Sequence, residues 1–283
     1  MRTLLALFTL SLVVSVASPV RANPAASAEL PDWFRPAGRP KAVILVAHGL
    51  NLLPSRMNYL SRRLAENGYE VFRTKLEGHG DSLDVFKGVR RETWLREMRD
   101  SAQIVRARAG ELGLDSHFVG YSVGALVYQD LISQDPALAL QKHVYFAPAL
   151  APRSRNKLVR LLKLFGPRFC LKSFAPENYR AHGCTPLAAY DALFASAETV
   201  AINNFAAVNR PSLAFVDPLD ELVSYNDLKR LIATGPLSKW RLIDVSTAGS
   251  TLPRPWHHLI IDDAAVGAGL WRQIELAMLE FLR

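Results

Sequence analysis

The chain has 283 residues, 49% hydrophobic and 21% charged, with 16 Gly, 17 Pro and two Cys. That composition excludes a collagen, a disordered tail protein and a disulfide-dense miniprotein, and suits one folded domain with room for an inserted subdomain. The formal net charge of +8 is spread thinly over 34 basic residues and does not point to nucleic acid.

Arg2 precedes a largely apolar run over 4–17 and a flank ending Val20-Arg21-Ala22. A short positive start, a short apolar core and a small-residue junction predict a secretory signal peptide over 1–22. The run is about two-thirds of the ~20 residues that span a bilayer, which argues against a membrane anchor. The expected location is therefore periplasmic or secreted. In such an oxidising compartment Cys170 and Cys184 can bridge, although two independent buried thiols suit the spacing equally well.

Residues 23–40, rich in Pro and Ala, read as an N-terminal lead-in to a domain spanning 41–283. The apolar run 42–47 predicts a buried strand. Helical spacing follows over 57–66, with Tyr59, Leu60 and Leu64 on one side, and Asn67-Gly68 stops it. A strand is expected at 69–74, a long helix at 94–112, a short strand at 117–120, a helix at 125–132 and a strand at 143–147. Residues 151–205 break the rhythm with Pro-containing helical segments and read as an inserted cap. Strands at 212–216 and 241–245, with helices at 226–233 and 269–282, complete the pattern. Strands alternating with helices predict an α/β fold: a mostly parallel sheet flanked by helices.

Gly120-Tyr121-Ser122-Val123-Gly124 stands between a predicted strand and a predicted helix, the context that gives G-x-S-x-G its meaning. Ser122 then sits on a strained turn that raises its hydroxyl clear of the sheet, and the flanking glycines admit neighbouring backbone where a Cβ would clash. A serine needs a base, and the base needs an orienting acid. In this architecture they follow in the order Ser, acid, His. The last third of the chain supplies Asp217, Asp220 and Glu221 just past a strand, and His257 and His258 before the last helix.

Three more segments carry a resemblance: His48-Gly49-Leu50, the stretch from Leu76-Glu77-Gly78-His79 to Gly80-Asp81-Ser82, and the Asp-x-x-Val pattern from Asp220 to Val223. With the serine motif, they make the chain resemble the α/β-hydrolase superfamily, in its monoacylglycerol lipase, lysophospholipase and serine aminopeptidase-like branch. The resemblance covers about 40–283, is weakest over the cap, and leaves the fold's usual opening β-hairpin shortened or absent. It implies Ser122 as nucleophile, Asp220 as acid with Asp217 as rival, and oxyanion donors at the Leu50 and Val123 N–H groups. The family's acid five positions after the catalytic histidine stands after both candidates, as Asp262 for His257 and Asp263 for His258. The apolar residues following His258 tilt the choice towards it without closing it. His48, His79 and Asp81 read as residues that hold their loops. No metal-ligand spacing occurs, and the implied acyl-transfer chemistry needs no cofactor.

From 153 to 172 the cap holds Arg153, Arg155, Lys157, Arg160, Lys163, Arg168 and Lys172, interleaved with apolar residues and without an acid. This predicts a basic amphipathic helix, either resting on anionic lipid or serving as a lid with a solvated basic face. The resemblance implies an exported serine hydrolase of carboxylic esters, with short or medium acyl or aryl groups, monoacylglycerols or lysophospholipids as substrates. An aminopeptidase, amidase or thioesterase uses the same triad, and a non-catalytic ligand-binding protein is the alternative of another class. A peptidase of this fold usually carries acids in its cap, which 153–172 lacks.

Overall fold

The computed structural model describes residues 29–203, 205–247 and 256–283. The expected signal peptide and most of the lead-in lie outside these residues. Among the described residues nine strands follow in chain order: β1 (Asp32–Phe34), β2 (Val43–Ala47), β3 (Glu70–Arg73), β4 (Ser116–Tyr121), β5 (Lys142–Phe146), β6 (Cys170–Lys172), β7 (Cys184–Pro186), β8 (Ser212–Val216) and β9 (Trp240–Asp244). The helices are α1 (Asn58–Glu66), α2 (Leu83–Phe86), α3 (Arg91–Leu112), α4 (Val123–Gln134), α5 (Leu187–Ile202), α6 (Tyr225–Ala233), α7 (Asp263–Val266) and α8 (Ala268–Leu282).

Seven strands form one sheet in the order β1-β3-β2-β4-β5-β8-β9, parallel throughout except for β1. Central strands such as Val43–Ala47 and Ser212–Val216 are buried on both faces, so they are apolar runs rather than alternating ones. Alternate residues feed two separate cores. Val43 and Leu45 join Trp94 and Met98 of α3, Leu126 of α4 and Leu228 of α6. Ile44 and Val46 join Leu60 and Leu64 of α1 with Trp271 and Met278 of α8.

Several expectations change. Residues 32–34 of the supposed lead-in form β1, which lies antiparallel on β3. The predicted basic α-helix of 153–172 is instead a 3₁₀ stretch, Ser154–Phe165, ended by Gly166 at φ +82° and Pro167, and followed by β6. Within 151–205 one α-helix, α5, begins after Pro186 and continues to Ile202. Ala189, Leu193 and Val200 of this helix enter the same core as α4. β6 and β7 make a short antiparallel ribbon, and Cys170 and Cys184 are joined across it by a disulfide. That closes the choice left open by the spacing. No helix among the described residues is long and apolar enough to cross a membrane.

Candidate active site

β4 runs directly into α4, and Ser122 makes the corner at φ +50°, ψ −115°. That is a costly conformation for a residue with a Cβ, so neighbouring bonds must hold it. The Ser122 N–H donates to the Phe146 carbonyl at 2.9 Å, and its own carbonyl accepts from Leu126 and Ala149 at 3.2 Å each. The glycines of the motif do what was expected of them. A Cβ on Gly120 would meet the Phe118 ring at 2.5 Å and the Ala125 Cα at 3.0 Å; one on Gly124 would strike the His48 carbonyl. Gly124 thus lets the start of α4 touch the end of β2, which brings the 48–51 loop beside the serine.

The two histidines separate cleanly. His258 Nε2 lies 2.8 Å from Ser122 Oγ, and its Nδ1 lies 2.8 Å from Asp220 Oδ2. Asp220 is fully buried, and its other oxygen accepts the Leu222 and Val223 N–H groups at 2.8 Å each. The ring therefore donates from Nδ1 and accepts the serine O–H at Nε2. Burial works against protonating His258, but the Asp220 carboxylate, by charge and hydrogen bond, and Glu221 beyond it outweigh burial and raise its pKa. Glu221 also accepts the His258 backbone N–H at 3.1 Å.

The rival residues pair with one another. His257 Nδ1 lies 2.8 Å from Asp217 Oδ2, an oxygen that also accepts the Thr247 N–H at 2.9 Å and the Thr247 hydroxyl. Asp217 Oδ1 accepts the Leu219 N–H at 2.7 Å, closing the turn that presents Asp220. Burial would raise the Asp217 pKa; the bonds from Thr247, Leu219 and His257 prevail and lower it. The acids five positions downstream serve elsewhere. Asp262 caps α7 through the Ala265 N–H and accepts the Tyr179 hydroxyl.

His48 holds its loop as expected. Its Nε2 accepts the Leu76 N–H at 3.0 Å, so the proton resides on Nδ1, which donates to the Gly49 carbonyl at 3.0 Å. Burial, with His79 beside it, lowers its pKa and keeps it neutral. Asp81 accepts from the Gly78 N–H and from Lys75, pinning its turn. Leu50 lines the same cavity as Ser122, and Val123 follows the serine as the first residue of α4, a position whose N–H has no acceptor within its helix. A donor of that kind is what a developing oxyanion requires.

A cavity of about 380 Å³ opens over Ser122 and His258. Leu50, Tyr190, Leu193, Phe194 and Leu259 give it an apolar wall, and Lys172 and Arg180 stand among its lining residues. Sequence reasoning missed the part played here by Thr247 and Asn51. Neither belongs to a motif, and each acts through a partner distant in the chain.

A mostly parallel sheet with helices on both faces, a serine on a strand–helix elbow and a histidine–carboxylate pair beside it define an α/β-hydrolase. The chain belongs to the serine aminopeptidase S33 family, whose model matches residues 38–207, more than half its length; it is a serine hydrolase. No curated protein matches the sequence. Solved structures share the fold. One comes from the metagenome-derived lipolytic enzymes LipS and LipT, at 19% identity over 90% of this chain and 98% of that one, with a TM-score of 0.69. A soluble variant of monoglyceride lipase from Saccharomyces cerevisiae, in complex with a substrate analogue, matches at 11% identity over 89% and 90%, with a TM-score of 0.70. The monoacylglycerol lipase of Paleococcus ferrophilus matches at 17% identity over 89% and 98%, with a TM-score of 0.60.

Proposed function

We propose that the protein is an exported carboxylic ester hydrolase that works through Ser122, His258 and Asp220. The observation that carries this reading is the unbroken relay from Asp220 Oδ2 through the His258 ring to Ser122 Oγ, with 2.8 Å at each step. His258 takes the serine proton as Oγ attacks the ester carbonyl, and the oxyanion rests on the Leu50 and Val123 N–H groups. The imidazolium then protonates the departing alcohol, and water, deprotonated by the same histidine, releases the acid from the acyl-enzyme.

The cavity supports short to medium acyl or aryl groups, including monoacylglycerol, in keeping with the lipases of the same fold. Cap residues lining it include Lys172 and Arg180, and the carboxylate among its lining residues, Glu221, belongs to the turn that carries Asp220 rather than to the cap. Fluorophosphonate labelling tests the reading. Wild type reacts and Ser122→Ala does not, and p-nitrophenyl butyrate turnover disappears with the label. An unlabelled wild type speaks for a binding protein instead. A chain-length series of p-nitrophenyl esters beside monoacylglycerol, lysophospholipid, thioester and aminoacyl substrates then sorts the substrate class.

The predicted signal peptide and the disulfide both suit a periplasmic or secreted protein. The cap gives a second part of the proposal. Leu158, Leu161 and Leu164 are 61%, 70% and 95% exposed, and a 3₁₀ stretch with three residues per turn sets them in one row. With the exposed Phe165 next to them and Arg168, which also pairs with Asp84 at 3.0 Å, and Lys172 following in sequence, this edge suits an anionic lipid surface. The protein is expected to co-sediment with phosphatidylglycerol vesicles at low salt, and a Leu161→Asp, Leu164→Asp variant to stay in solution. Equal sedimentation of both would dismiss the lipid contact.

A further inference from the structure

We infer that Asn51 is a positioning residue for the oxyanion: its side chain locks the loop that carries the Leu50 N–H onto the β6–β7 ribbon. The inference rests on the proposed role of that N–H. Asn51 follows Leu50 directly, is 4% exposed, and stands at φ +52°, a left-handed conformation asparagine tolerates better than most residues. Its Oδ1 accepts the His182 N–H at 2.8 Å, and its Nδ2 donates to the His182 carbonyl at 3.0 Å and to Thr185 Oγ1 at 3.1 Å. Both backbone groups of one residue are thus read by one carboxamide, so its orientation is fixed by chemistry. The Asn51 carbonyl accepts the Ala181 N–H at 2.9 Å, and the Leu53 N–H donates to Tyr179 at 2.9 Å.

The loop is gripped from its other end as well. His48 holds the Gly49 carbonyl, and that carbonyl shares a rigid planar peptide with the Leu50 N–H. Fixing the oxygen therefore aims the hydrogen the opposite way. Asn51 fixes the following link, so the donor sits between two anchored points. The wall that Asn51 grips is itself closed, because Thr185 follows Cys184 and Cys184 is bonded to Cys170. An oxyanion donor acts only if held where charge develops before the reaction begins.

The experiment is Asn51→Gly, which allows the left-handed backbone without strain and removes the side-chain grip. Active sites are counted by fluorophosphonate titration. The expected result is a kcat per titrated site lower by about 10–100-fold with KM little changed, and a parallel loss of affinity for an aryl boronic acid, whose tetrahedral adduct fills the oxyanion site. Thr185→Val, which removes one of the three bonds, should move both quantities the same way by about threefold. Wild-type kcat per titrated site in Asn51→Gly, whatever its Tm, overturns the inference. So does a lower kcat with unchanged boronic acid affinity. A wild type that neither labels nor turns over ester is a separate result, and it overturns the hydrolase reading together with this one.

Discussion

Replacing His258 by alanine is expected to lower kcat for p-nitrophenyl butyrate by about 10⁴-fold or more, against about tenfold for His257→Ala. The two rings are neighbours in sequence and both are buried, yet only His258 bonds to Ser122 Oγ. Without it the serine has no acceptor for its proton, and the leaving alcohol has no donor. His257 spends its Nδ1 on Asp217 and Thr247, so its loss loosens the turn that presents Asp220. Steady-state rates per mole of folded protein, measured for both variants, check the assignment. Near-wild-type rates in both would remove the base from this loop altogether. The pH profile adds a second check. The base must be neutral to act, and Asp220 and Glu221 raise the His258 pKa despite burial. The acid limb of kcat/KM should therefore lie above the ordinary imidazole value of ~6.5. A limb centred below it would contradict the electrostatics described here.

Much of this was legible because some local patterns permit few structures. An apolar run such as Val43–Ala47 fits a strand covered on both sides, and G-x-S-x-G between strand and helix fits an elbow. The order serine, acid, histidine then limited the partners to three carboxylates and two imidazoles. Spacing alone could not divide them, since the acids lie on one turn and the histidines are adjacent; the resemblance favoured Asp220 and only tilted the choice towards His258. The downstream acids settled nothing, because Asp262 is occupied as a helix cap. Only the fold shows that each histidine has its own carboxylate. β1 was hidden for another reason. Three residues, Asp32-Trp33-Phe34, carry no periodicity, and their pairing with β3 lies about forty positions away. The 3₁₀ stretch misled because leucines at every third position satisfy a helical template while suiting three residues per turn better. Asn51 left no signal at all. Two of its partners are backbone groups of His182, which any sequence would supply, and the third is the Thr185 hydroxyl, far along the chain.

Asp220→Asn should cost about 10⁴-fold in kcat, while Asp217→Asn costs about tenfold and shows its main effect in Tm. The argument turns on which oxygen each amide would keep. Asp220 Oδ1 accepts two backbone N–H groups, from Leu222 and Val223, so an asparagine there would leave its oxygen on them and turn its NH₂ towards His258 Nδ1. A donor facing Nδ1 forces the ring proton onto Nε2, and an Nε2–H cannot accept the serine proton. The fold would survive and the chemistry would stop. At position 217 the oxygen on the Leu219 N–H would likewise stay, placing the NH₂ against the Thr247 N–H. Two donors then face each other in a buried site, at a cost of about 1–3 kcal/mol to the fold. His258 would still have its carboxylate. Melting curves and rates per titrated site, taken together, separate these outcomes. If Asp217→Asn abolishes turnover at unchanged Tm while Asp220→Asn leaves it intact, the working pair is Asp217 with His257, and the 2.8 Å contact between His258 and Ser122 is not the one through which the proton moves.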